Sequence, residues 1–542
     1  MQVNQAIAAA LIGGGVDTMF GLIGDSNLFM VNEFVETHGG RYVSAVHEAS
    51  SVMMAHGYAS RSGRVGVATV TQGPGLTNTA TALVETVRAS TPLVMLIGDT
   101  APSNLRNLQS LAQEPFVRAT GAEYLLVESP ETAAETVCRA LRIAAGQSRP
   151  VVVNCPTEYM WVEVAEPALD PSEEFIEAAS AVQHELDEAE LDTAVGLIAS
   201  ATRPLVVVGR GVVDSNAGKT IKDFSERLGA PLLTTLRARN LYGAGDGSLG
   251  VFGTLSSEKG AQAIVESDCV VVFGASLNTW TTAHNTLLTG KPVVHVDVQR
   301  ATLGRFTAVT APVCGDAATV AEAITTWLDE GEIEPATFRA RVASDLVAHD
   351  LEAAPVSRDR LSFAGVLTDL MAAVDEQRTV VFDGGRFLGE AFAHVHAPGV
   401  ARQVLSTSFG AIGMGMGAAI GAAVAASGEP TVLVTGDGGF MMNGLAELQS
   451  AVRQQIPLTV LVCNDGSYGA EYDQYVAKGV RPDLSLFEWP SFADVATALG
   501  AAGVTVGRLE DVSAAVEAIR THDKCLVIDI QVGPDQVVEV PH

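Results

Sequence analysis

The chain has 542 residues, 47% hydrophobic and 18% charged, with a formal net charge of −30. This length calls for about three domains of roughly 150–180 residues each, and the balance describes a compact globular protein, not a disordered or fibrous one. A missing basic footprint argues against a nucleic-acid partner, and six scattered cysteines without a C-x-x-C pair argue against a disulfide framework or a zinc site and fit a reducing cytoplasm.

In residues 1–166, Gln5–Ile12 reads as a helix, Thr18–Leu22 and Arg41–Val46 as strands, and Ala49–Ser60 as a helix. Val65–Val70, Pro92–Ile97 and Pro150–Asn154 read as further buried strands. The first residues carry neither a basic n-region nor a cleavage site, so no signal peptide is expected. Pro167–Asp187 is acidic and proline-containing and reads as a linker. A middle domain, 185–335, holds the strand-like runs Pro204–Val208, Pro231–Thr235, Cys269–Gly274 and Pro292–Val298. Its Gly209-Arg210-Gly211 does not complete G-x-G-x-x-G and reads as a structural turn. The charged stretch Asp329–Asp350 and a second linker at Pro355 lead into the third domain, 356–542. There Phe409–Ser427 runs about 19 residues without a charge. With its many glycines and no second apolar span, it is expected to be a buried helix, not a membrane anchor. The fold class is therefore α/β: three domains of parallel sheets flanked by helices.

The most informative stretch is Val432–Asp465. An apolar run, Thr431–Thr435, turns through Gly436-Asp437-Gly438-Gly439 into a helix marked by Leu445, Leu448, Val452 and Ile456. A second run, Leu458–Cys463, ends at Asn464-Asp465. Strand, helix, strand in this order places Asp437 and Asp465 at the carboxyl ends of nearby parallel strands, where open α/β sheets bind ligands. Hard oxygen side chains held there suit Mg²⁺.

Gly436-Asp437-Gly438, 25 intervening residues and Asn464-Asp465 resemble the diphosphate-binding signature of thiamin diphosphate (ThDP) enzymes. The family pattern ends in two asparagines; here the second is Asp465. The resemblance implies that Asp437, the Asp465 side chain and the Ser467 carbonyl hold Mg²⁺ against the diphosphate, with Gly436, Gly438 and Gly439 beside it. Val46-His47-Glu48 through Gly57-Tyr58-Ala59 resembles the family's HE-x(8)-GYA segment, which makes Glu48 the acid beside the aminopyrimidine. Thr71–Asn78 (TQGPGLTN) is similar to the loop TSGPGATN that lines the cofactor pocket, which brings in Thr71, Gly73, Pro74 and Asn78. Gly410–Gly415 matches GAMGFG and points to Ile412 as the wedge that bends the cofactor. Asp25, in a segment similar to the GLPGDFNL of pyruvate decarboxylases with Ile23 replacing the proline, and Gln113, in one similar to the FQE of acetolactate synthases with Ala112 replacing the phenylalanine, are candidate catalytic residues. For each of these residues an ordinary core, cap or loop role stands beside the functional one.

Across nearly the whole chain the resemblance is to acetolactate synthase large subunits, within the pyruvate and benzoylformate decarboxylase superfamily. It implies two related ThDP-binding folds, at 1–166 and 356–542, around a central domain. It also implies a cytoplasmic homodimer or homotetramer with active sites between chains, acting on small 2-oxo acids or related carbonyl compounds, with no nucleic acid and no membrane. The implied reaction is decarboxylation of a 2-oxo acid and ligation of the resulting enamine to a second carbonyl. The alternatives are a simple 2-oxo-acid decarboxylase, a 2-hydroxyacyl-CoA lyase, or a non-catalytic ThDP-binding homologue. The QWQ segment of anabolic acetolactate synthases is absent, and Asp465–Tyr475 looks more like benzoylformate decarboxylases. The flavin-binding pattern is replaced by Gly274–Thr279, which argues against FAD.

Overall fold

Short β-branched runs such as Val151–Val153 and Val270–Val272 are buried along their whole length, as strands covered on both faces must be. The computed structural model describes residues 1–166, 186–243, 247–343 and 360–537, apart from 102, 103 and 105. Most of Pro167–Asp187, the end of Asp329–Asp350 and the linker at Pro355 lie outside the described residues.

Three six-stranded sheets emerge, and every ladder in them is parallel. The first holds β1 (Thr18–Gly21), β2 (Arg41–Ser44), β3 (Gly66–Val70), β4 (Leu93–Asp99), β5 (Glu123–Leu126) and β6 (Pro150–Pro156), in the order β2-β1-β3-β4-β6-β5. The second holds β7 (Pro204–Val208), β8 (Leu232–Thr234), β9 (Ser248–Val251), β10 (Cys269–Phe273), β11 (Val293–Asp297) and β12 (Ala311–Cys314), in the order β12-β11-β10-β7-β8-β9. The third holds β13 (Thr379–Phe382), β14 (Gln403–Leu405), β15 (Thr431–Gly436), β16 (Thr459–Asn464), β17 (Ala502–Val506) and β18 (Leu526–Gln531), in the order β14-β13-β15-β16-β18-β17. The first and third sheets therefore share one winding, and the second differs. Its order is that of doubly wound dinucleotide folds. Gly209 and Gly211 nevertheless act as packing residues there: their N–H groups donate to the Phe273 and Gly274 carbonyls, and a side chain at 209 would overlap Gly274.

The contacts divide the chain into two units, one holding the first and third sheets and the other the second. Within the first unit a single apolar core draws Phe20, Val43 and Val70 from one sheet together with Val381, Leu433 and Val460 from the other. Six helices carry or brace the candidate residues: α1 (Glu48–Ser62), α2 (Ala80–Arg88), α3 (Gln113–Thr120), α4 (Gly415–Ala425), α5 (Leu445–Arg453) and α6 (Gly469–Ala477). The charge-free run Phe409–Ser427 supplies α4, whose residues are nearly all buried. Among the described residues no helix is long and apolar enough to cross a membrane.

Helices α1 and α4 touch backbone to backbone, because glycines remove the side chains between them. A Cβ at Gly57 would overlap the Ala418 carbonyl, and one at Gly421 would overlap the Met54 carbonyl. Replacing Gly57 by alanine is expected to force the helices apart at a cost of about 1–3 kcal/mol. A lower urea midpoint with an unchanged slope is the expected result; an unchanged midpoint would contradict the close crossing.

Candidate active site

Strands β15 and β16 pair in parallel, with Gly436 beside Cys463, so their carboxyl ends lie together. Asp437 follows β15 and is buried; its Oδ1 accepts the Gly438 N–H at 2.6 Å and its Oδ2 the Gly466 N–H at 2.7 Å. Asp465 follows β16, also buried, and its Oδ1 accepts both the N–H (2.9 Å) and the hydroxyl (2.7 Å) of Ser467. The left-handed backbone of Gly466 (φ 67°) makes this turn possible. Burial, and then the charge of Asp465, push the Asp437 carboxyl up to about 7. Two like charges in a desolvated place are what a divalent cation relieves, and the donors are hard oxygens, so Mg²⁺ fits. Among the described residues no cluster of three or more His, Cys, Asp or Glu side chains offers another metal site.

Beside this pair the structure reveals a residue that the sequence motifs do not single out. Asp383, at the end of β13, has a fully buried carboxylate that accepts the N–H groups of Gly384 (2.9 Å), Gly413 (3.1 Å), Met414 (3.2 Å) and Gly415 (3.1 Å) and the Thr435 hydroxyl (2.9 Å). It fixes the turn that carries Ile412, which is half-buried, against β15. Asp383-Gly384-Gly385 repeats the strand–Asp–Gly pattern of Gly436–Gly439, and that is the signal from which it was legible.

The first sheet gathers a second set. Glu48 is the first residue of α1, half-buried, and its Oε2 accepts from the Asn78 Nδ2 at 2.9 Å. His47 caps the same helix, with Nδ1 accepting the Ala49 N–H. Gly73 turns with φ 59°, and its N–H donates to Gln113 Oε1 at 3.0 Å. Gln113, at the start of α3, is buried and donates Nε2 to the Gly98 carbonyl and to Asn154 Oδ1. Its amide is thus engaged in holding the 71–78 turn. Thr71 accepts from Ser26 and donates to Gln72, while Pro74 and Asn78 face outward. Asp25 is exposed on the neighbouring loop, where Gly24 leaves room for the Thr71 side chain.

Two further carboxylates bind these sets to each other. Glu85 on α2, fully buried, accepts the Ser408 N–H at 2.8 Å and the Phe409 N–H at 2.5 Å, just before the Ile412 turn. Glu447 on α5, equally buried, accepts the N–H groups of Val46 (3.0 Å) and His47 (2.8 Å), just before Glu48. Each half thus clamps the backbone leading to the other half's candidate residue. Sequence alone could not show this, because the partners lie 323 to 401 positions apart. Among the described residues no hydrogen bond joins Glu48 to Asp437, Asp465 or the Gly410–Gly415 turn.

Comparison with known families matches the chain in three parts. Residues 1–117 match the thiamine pyrophosphate enzyme N-terminal TPP binding domain, 191–324 the central domain, and 383–530 the C-terminal TPP binding domain. The chain is 28% identical to a sulfoacetaldehyde acetyltransferase of Castellaniella defragrans, over 98% of this chain and 93% of that protein. It is 26% identical to the acetolactate synthase isozyme 2 large subunit of Escherichia coli, over 98% and 96%. It is 28% identical to the "Probable 2-ketoarginine decarboxylase AruI" of Pseudomonas aeruginosa, over 93% and 89%.

Burial raises the Asp383 carboxyl from 3.8 to about 6. With the native pKa above the unfolded one, stability is fullest below about pH 4, falls as pH rises toward 6, and is level above that. In Asp383→Asn this fall is expected to become shallower in the pH dependence of the melting temperature, with the Asp437 contribution remaining; a wild-type-like slope between pH 4 and 6 would contradict the assignment.

Proposed function

Because the chain belongs to the thiamine pyrophosphate enzyme family, we propose that it is a ThDP- and Mg²⁺-dependent carboligase similar to acetolactate synthases. It would decarboxylate a 2-oxo acid and join the remaining acyl unit to a second carbonyl compound. The observation that carries this reading is the buried Asp437 beside Asp465 at the adjoining carboxyl ends of β15 and β16.

In this reading residues 356–542 hold the diphosphate and 1–166 the aminopyrimidine, with 185–335 between them in sequence. Asp437, Asp465 and the Ser467 carbonyl hold Mg²⁺, and Gly436, Gly438 and Gly439 let the backbone come close to the diphosphate. Ile412, on the turn fixed by Asp383, supports the bend of the cofactor. Thr71, Gly73, Pro74 and Asn78 line the pyrimidine side. When bound, ThDP supplies the carbon nucleophile and the electron sink for decarboxylation. Glu48 would serve as the acid beside the aminopyrimidine, and its bond to Asn78 would orient the carboxyl for that role. Asp25, exposed beside the 71–78 turn, would pass protons to substrate, while Gln113 would act by holding that turn. The outward-facing Pro74 and Asn78 and the half-exposed Glu48 suit sites completed by a second copy of the chain, in a homodimer or homotetramer.

A simple decarboxylase is the second reading, favoured by the benzoylformate decarboxylase-like stretch Asp465–Tyr475 and by the likeness to a 2-ketoarginine decarboxylase. Incubation with a panel of 2-oxo acids and mass-spectrometric identification of products separates the two. Coupled hydroxyketones are expected; aldehyde alone would overturn the carboligase reading. Glu48→Gln is expected to bind ThDP and to lose roughly 10²–10⁴-fold in turnover. Full turnover by that variant would contradict the mechanism.

A further inference from the structure

Asp465 puts a carboxylate where the family signature has an asparagine, and so adds a second negative charge beside Asp437. The structure answers that charge with Arg386, on the loop after β13. Its side chain is 3% exposed. Nη2 donates to Asp465 Oδ2 at 2.6 Å and to the Pro534 carbonyl at 2.8 Å, and Nη1 donates to Asp473 Oδ1 on α6 at 2.7 Å. The guanidinium lies over the Tyr472 ring, 5.6 Å from its centre. Gly469 lacks the side chain that would overlap it. Arginine's rigid fork makes several such bonds at once, which a lysine cannot do. A charge this deeply buried is tolerated only when partnered, and here the partner is the anchor residue itself.

The bonding pattern also divides the two oxygens of Asp465. Oδ2 is taken up by Arg386, while Oδ1 stays on the Ser467 side of the turn. Arg386 is shared with Asp473, so it offsets part of the Asp465 charge, and it leaves the carboxylate presenting one oxygen, as an asparagine carboxamide does. Resting on the diphosphate-anchor reading above, we propose that Arg386 is a positioning residue that lets an aspartate serve in the anchor, by offsetting part of its charge and fixing which oxygen it presents to Mg²⁺.

The test is calorimetric titration of ThDP with Mg²⁺ into four proteins: wild type, Arg386→Met, Asp465→Asn and the double variant. Truncating one member of a buried charged pair exposes the other, so Arg386→Met is expected to weaken binding by roughly 30-fold or more. Asp465→Asn, which alters the anchor itself, sets its own affinity, and in that background Arg386→Met is expected to cost only about threefold or less, because the charge that the arginine offsets is gone. That loss of effect is the readout a merely structural arginine would not give. Should Arg386→Met fail to fold, Arg386→Lys carries the same comparison, with binding weakened beside Asp465 and little changed in the Asp465→Asn background. Undiminished binding in the arginine variants, or an equal loss in the Asp465→Asn background, would overturn the inference. Absence of binding in wild type would instead overturn the anchor reading.

Discussion

Glu85 and Glu447 have no exposed surface, and a carboxylate so buried persists only when its oxygens are hydrogen-bonded. Each satisfies itself on two backbone N–H groups of the opposite half, and neither half offers those donors unless the other is in register. The bare backbone crossing of α1 and α4 sets that register, since Gly57 and Gly421 leave no slack between the helices. This constraint fixes the backbone that carries each half's candidate residue. Glu48 begins α1 directly after the N–H groups that Glu447 holds, and the Ile412 turn begins directly after those that Glu85 holds. The two sheets wind identically, and the clamps are their reciprocal contacts.

The third-sheet half concentrates buried charge to an unusual degree. Asp383, Asp437, Asp465 and Arg386 all lie below the surface within one set of adjoining loops. They meet the cost of burial differently. Asp383 places its oxygens on turn N–H groups and a hydroxyl, Asp465 is split between Ser467 and Arg386, and Asp437 rests on backbone N–H groups alone, those of Gly438, Gly466 and Ser467. The charge least compensated by the protein is therefore that of Asp437. A cation taken up there, as proposed, would complete the electrostatics of the site.

Much of this was legible in the sequence where it depends on local pattern. The glycine turn after one apolar run and the Asn-Asp after the next placed Asp437 and Asp465 at the ends of paired strands, and the structure pairs β15 with β16. The charge-free run before them forms the buried helix α4, its glycines serving helix contact within the chain. Boundaries differ where caps decide them: the first helix spans Val3–Gly13, starting before Gln5, whose Oε1 accepts the Gln2 N–H at 2.9 Å. Short strands such as β5, β14 and β17 lack a long apolar run and so leave little trace in the sequence pattern. Glu85, Glu447 and Arg386 were invisible for a different reason: each looks like a surface charge until partners far away in sequence close over it. Gln113 shows the converse, a residue flagged by its motif whose amide proves to be occupied in holding the 71–78 turn.

The central claim is that the carboxyl ends of β15 and β16 form a metal-dependent anchor for ThDP. The most direct measurement is calorimetric titration of ThDP into the metal-free chain, first without and then with Mg²⁺. The account predicts saturable binding at one ThDP per chain that appears only with the cation and is lost again on chelation. Binding that is indifferent to Mg²⁺, or no binding in its presence, would contradict it.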